Sequence, residues 1–139
     1  MEIGPYLMLA SLEGAVTAAV LALTAVGLSL VFGVMRVVNV AHGEFFMLGA
    51  VLAWWLAHLT GDAHPVVGFA LALVCAPLLV GAIAVLADVT VLKRVNYDPE
   101  RTIVATIGIL YILQQVTLMT YGPDARPVAP PFNQRLALP

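Results

Sequence analysis

Residues 14–35 read GAVTAAVLALTAVGLSLVFGVM, twenty-two positions without a charged side chain. At 1.5 Å per residue, a helix of that length is about 33 Å long, enough to cross a hydrocarbon core of about 30 Å. A backbone inside lipid must satisfy its own hydrogen bonds, so the stretch reads as a transmembrane helix. Composition carries this outward to the whole chain, which is 62% hydrophobic and 10% charged. A soluble domain has about 45–50% and about 25%, so a soluble globular fold is excluded. The formal net charge is −2 and the six Lys and Arg are scattered, which gives nucleic acid nothing to bind. The single Cys75 rules out an intrachain disulfide. The N-terminus, MEIGPYLMLASLEG, has no Lys or Arg before the apolar run. It lacks the basic start of a secretory signal, so the first helix is read as retained.

Three further segments follow. The second is apolar only from Phe45 to Leu59. Those fifteen residues make about 22 Å of helix, too short to span, so VVNVAHGE (37–44) is expected to serve as a polar or broken entry, giving a segment of about 37–59. The third, 65–87, opens at Pro65 and carries Pro77 inside, a kink that membrane bundles tolerate. The fourth, about 102–121, is preceded by Asp98-Pro99, a helix-start pair. The expected fold class is all-α, a polytopic membrane bundle of about four helices. Residues 1–121 form the transmembrane domain. Residues 122–139 hold five of the nine prolines and read as an extended extracytoplasmic loop or tail.

Basic residues set the orientation. Arg36 follows the first segment, and Lys93, Arg94 and Arg101 lie between the third and fourth. These connections share a side, which is read as cytoplasmic. The N-terminus then lies outside, with Tyr97 and Tyr121 near the interfaces.

Polar chemistry concentrates in Arg36-Val-Val-Asn39-Val-Ala-His42-Gly43-Glu44. If helical, this stretch puts Arg36, Asn39 and Gly43 on one face. Polar groups at membrane depth face a cavity or a partner, and a half-helix starting near Gly43 would aim its amides inward. The alternative is a plain cytoplasmic turn, with Arg36 as anchor and Glu44 near the positive end of a helix. Asn39, His42, Gly43 and Glu44 are the groups that the first reading would turn toward a cavity. Gln114 and Gln115, mid-way along the fourth segment, are candidates for helix packing or for lining the path. His42 and Glu44 are too few for a metal site. No nucleophile, base and orienting group occur together, and no lysine-bearing Gly-rich phosphate loop is present. No catalytic residue, metal or cofactor is expected.

The run GLSLVFGVMRVVNVAHGEFFMLGA (27–50) resembles the signature of permease subunits of branched-chain amino acid ABC importers. ERTIVATIGILYILQQVTLMTYGPDARPVAPPF (100–132) resembles the same family, with its ATIG, LQQ and GPD elements in order. The resemblance implies a second permease subunit, cytoplasmic ABC ATPase subunits, a periplasmic substrate-binding protein and a bilayer of the bacterial inner membrane. It places Asn39, His42, Gly43 and Glu44 in the family's signature, which implies that they shape a substrate pathway or gate, and matches Gln114 and Gln115 to its glutamine pair. Family members are longer, so the resemblance is to an N-terminal half, which alone is not expected to couple to ATP hydrolysis. Relatives carrying urea or short amides have almost the same signature, which leaves substrate open. A small homo-oligomeric channel or membrane scaffold is the reading from another class.

Overall fold

The computed structural model describes residues 3–59 and 64–127. Helix α1 covers Ile3–Met35, starting well before the uncharged stretch. Pro5 falls in its first turn, where a missing N–H costs no helical bond. The helix stops where Arg36 turns left-handed, φ 54°, with its N–H on the Phe32 carbonyl at 2.8 Å. Helix α2 is shorter than expected, His42–Leu59. Residues 37–41 do not join it, because the Asn39 side chain takes the Ala41 N–H at 3.0 Å and its carbonyl takes the His42 N–H at 3.2 Å. This is the local competition by which Asn favours turns over helix interiors. The single helical face of Arg36, Asn39 and Gly43 therefore does not form.

Helix α3 runs Pro65–Ala87 with Pro65 in its first turn and Pro77 inside. It continues as a π-helical turn, Asp88–Leu92, and a 3-10 turn, Lys93–Val95. Two successive left-handed residues, Asn96 (φ 54°) and Tyr97 (φ 51°), then break it. Helix α4 covers Pro99–Thr120, capped by the Asp98 carboxylate accepting from the Arg101 N–H at 3.0 Å. It starts three residues earlier than expected because Pro99, Glu100 and Arg101 already form the first turn. The proposed tail lies outside the described residues from position 128 onward.

The chain is a polytopic helical membrane bundle. α1, α3 with its extension to Val95, and α4 are long and apolar enough to cross a membrane. The 18 residues of α2 give it about 27 Å. The tightest contact is the α2–α3 hairpin, made through small residues. Gly68, Ala72 and Ala76 are buried on one stripe of α3, and Gly49 of α2 approaches Val80. α4 buries Thr102, Thr106 and Thr117, while Leu21, Leu78, Ile112 and Met119 point outward. Lipid tails solvate such side chains as well as a core does, so close backbone approach decides which faces meet. α2 and α4 run parallel: Val40 meets Thr106 at one end, and Trp54 meets Tyr121 at the other.

Candidate functional site

The polar stretch forms a joint between α1, α2 and α4. Val37 is 2% exposed and Ala41 0%, although both lie outside regular structure. Their burial draws the chain inward after Arg36. The Thr106 hydroxyl accepts the Val40 N–H at 3.2 Å and donates to the Ile103 carbonyl at 3.0 Å. A backbone donor freed by the loss of helix is thus satisfied by a side chain of α4.

His42 faces the other way. Its Nε2 lies 3.2 Å from the Thr24 carbonyl of α1. That oxygen can only accept, so Nε2 carries the proton and donates. The ring sits against Gly27, where an added Cβ would stand 3.3 Å from Cε1 and 3.4 Å from Nε2. Thr24 itself donates to the Val20 carbonyl at 2.9 Å, which keeps its hydroxyl out of the joint.

These contacts place the start of α2 inside the bundle. Thr24 lies eleven residues before Met35, the end of α1, or about 16 Å along its axis. Thr106 lies seven residues past Pro99, the start of α4, or about 10 Å. α2 therefore begins deeper than the ends of its neighbours, as the half-helices of transporters do. Gly43 is exposed, with open space around its Cα, and Glu44 is half-buried. The joint brings together Asn39 and His42 through bonds; no side-chain bond links Gly43 or Glu44 to it among the described residues.

An apolar groove of about 1010 Å³ runs along α2 between α1 and α3. Thr24, Gly27 and His42 line the end at the start of α2, called the inner end; Trp54, His58 and Pro65 line the end at its finish, called the outer end. Every residue of α1 from Ile3 to Leu23 is exposed, whereas Thr24, Gly27, Val31 and Met35 form a half-buried stripe. α1 thus closes on α2 at the inner end and leaves it at the outer end.

The outer end carries a cluster that sequence reading missed. The Arg126 guanidinium sits 5.0 Å from the Trp54 ring centre and 4.8 Å from that of Tyr121, and donates to the Tyr121 carbonyl at 2.8 Å. Trp54 also packs on His58 at 4.2 Å and edge-on to Tyr121 at 5.2 Å. The signal available was an aromatic closing α4 with an arginine five residues on, but only folding brings Trp54 between them. Gln114 and Gln115 are both exposed on α4, and neither has a hydrogen-bond partner among the described residues. The Asp88 carboxylate accepts from the Tyr97 hydroxyl at 3.2 Å. Among the described residues no group of three or more His, Cys, Asp or Glu is placed to hold a metal.

Three long apolar helices around a short, deep-starting fourth define a multi-pass helical membrane protein. The family model described as branched-chain amino acid transport system / permease component matches residues 10–137, and the chain belongs to that family. It is 28% identical over 137 residues to the high-affinity branched-chain amino acid transport system permease protein LivH of Escherichia coli K12, and equally to that of Escherichia coli O157:H7. The match covers 92% of this chain and 43% of each relative, so the chain spans less than half the length of these relatives. No solved structure matches.

Proposed function

We propose that the chain forms part of the translocation pathway for branched-chain amino acids, as a permease subunit of a binding-protein-dependent ABC importer in the bacterial inner membrane. The observation that carries this reading is the family match along residues 10–137. The groove supports it: its lining is mostly apolar and suits aliphatic side chains, and its 1010 Å³ reaches the top of the ~300–1,000 Å³ range of fitted ligand pockets. In this reading Asn39, His42, Gly43 and Glu44 shape the inner end of the path. Gln114 and Gln115 face outward toward a neighbouring subunit or line a path shared with it. A second permease subunit, cytoplasmic ATPases and a periplasmic binding protein complete the importer, and the N-terminus lies outside. Residues 1–121 act as the membrane domain and 122–139 as the outer loop. No catalytic role falls to any residue.

The test is purification of the tagged native product from membranes in mild detergent, followed by reconstitution. The expected result is a co-purifying ATPase and ATP-dependent leucine uptake that valine and isoleucine compete and urea does not. Competition by urea instead would move the substrate to urea or short amides. A product that associates only with itself and gives ATP-independent flux would overturn the importer reading in favour of a channel or scaffold.

A further inference from the structure

The groove is unequal at its two ends, and one hydrogen bond accounts for the difference. At the outer end nothing joins α1 to α2 or α3 among the described residues. At the inner end the imidazole of His42 crosses from α2 to α1, donating to the Thr24 carbonyl at 3.2 Å and resting on Gly27. It is the one side-chain hydrogen bond from α1 to another helix among the described residues; the hydroxyls of Ser11, Thr17 and Thr24 all bond back within α1. The carbonyl it uses lies within a helix, so parting the pair frees no backbone group that α1 needs. Gly27 is the site on α1 where a ring fits, because any Cβ there stands within 3.4 Å of the imidazole.

The geometry points to His42 as the bolt of an inner gate: α1 pivots on the His42–Thr24–Gly27 joint, and release of that joint opens the inner end of the groove. His42 is in this sense a positioning residue that acts through α1. The imidazole is committed to α1 rather than to a passing solute. A single interhelical hydrogen bond suits such a device, since bonds of this kind in a bilayer are weak on average and can part. The gating role rests on the permease reading above; the joint itself does not.

The test uses the full chain in nanodiscs with Cys75→Ala, and spin labels at Val34→Cys on α1 and Leu86→Cys on α3. Both labelled positions are exposed and both lie toward the inner ends of their helices. The parent is expected to give a dominant short-distance population. His42→Ala is expected to raise the ratio of long to short distances about threefold, the scale of one average interhelical bond. Gly27→Val, which keeps the imidazole but fills its seat, is expected to do the same. His42→Gln, whose amide nitrogen reaches the Nε2 position, is expected to restore the parent distribution. Superimposable distributions in the parent, His42→Ala and Gly27→Val overturn the joint, as does a His42→Gln that behaves like His42→Ala. Leucine uptake by the assembled importer carrying the same variants separates the two layers. Distances that move while uptake stays at the parent level overturn the gate and leave the permease reading standing. A parent importer that takes up no leucine fails the permease reading, while the distances still decide the joint.

Discussion

Single side chains carry the joints of this bundle, and each makes a measurable claim. Thr106 is fully buried and its hydroxyl is the acceptor for the Val40 N–H. Thr106→Val keeps the shape and removes the acceptor of this part-buried hydrogen bond, at a cost of about 0.5–1.5 kcal/mol. The expected outcome is a lower thermal midpoint in detergent, restored by Thr106→Ser. Arg126 holds Trp54 and Tyr121 together by cation–π contact, worth about 0.5–1 kcal/mol at an exposed site. With Trp55→Phe leaving Trp54 as the only indole, Arg126→Ala is expected to increase acrylamide quenching of its fluorescence; unchanged quenching would show that the contact does not hold the ring. Tyr97 titrates above its ordinary value, first through desolvation and then through the Asp88 carboxylate, by its charge and by the hydrogen bond it accepts. A group whose pKa is raised on folding contributes fully below its unfolded pKa and loses that contribution as pH rises through the folded value. The Tyr97–Asp88 contact is therefore intact at neutral pH and is lost in the alkaline range above about 10. Asp88→Asn is expected to move the Tyr97 tyrosinate absorbance step to lower pH, read as the difference from Tyr97→Phe. Asn39 and His42 were legible as polar residues in an apolar setting. Their partners Ala41 and Thr24 were not, because any carbonyl or amide serves equally and only the path of the chain selects one.

At the scale of elements, periodicity and length found the helices, and local polar competition set the ends that were misjudged. The uncharged run of α1 located the crossing but not its start, since Glu13 is one charge on a long helix and does not stop it. Residues 37–41 were expected as a polar or broken entry to α2, and they form a turn outside the helix because Asn39 satisfies Ala41 more locally than a helix would. The π-helical turn at Asp88–Leu92 left no mark in the hydrophobic pattern. It shows in the Lys93 N–H, which reaches the Asp88 carbonyl five residues back. Asp98-Pro99 was legible because capping chemistry is local. The Asp98 side chain accepts the Arg101 N–H, so Asp98→Ala is expected to cost about 1 kcal/mol. Faster amide exchange in the first turn of α4, with the rest of the helix unchanged, is the signature to measure.

For the molecule as a whole, the distribution of charge predicts how it sits in the bilayer. Arg36, just past the end of α1, shares an end of the bundle with Lys93 and Arg94 in the 3-10 turn after α3 and with Arg101 in the first turn of α4. Arg126 is the single basic residue at the opposite end among the described residues, and the rings of Trp54 and Tyr121 already hold it. Basic residues within about 15–20 positions of a membrane helix favour the cytoplasmic side, so the Lys93 end is expected inside and the Arg126 end outside. The parallel course of α2 and α4 agrees with this. Both begin at the basic end and finish at the Trp54–Tyr121 contact, so one labelled position at each end reports on the whole bundle. In a Cys75→Ala background, Lys93→Arg,Arg94→Cys keeps a positive charge beside the label, and Pro123→Cys marks the loop after α4. An impermeant maleimide applied to intact spheroplasts is expected to label position 123 and to reach position 94 only after the membrane is opened. Labelling of position 94 from outside would invert the topology. It would also turn the deep start of α2 toward the periplasm, so that the His42 joint would close the groove on the side from which substrate arrives.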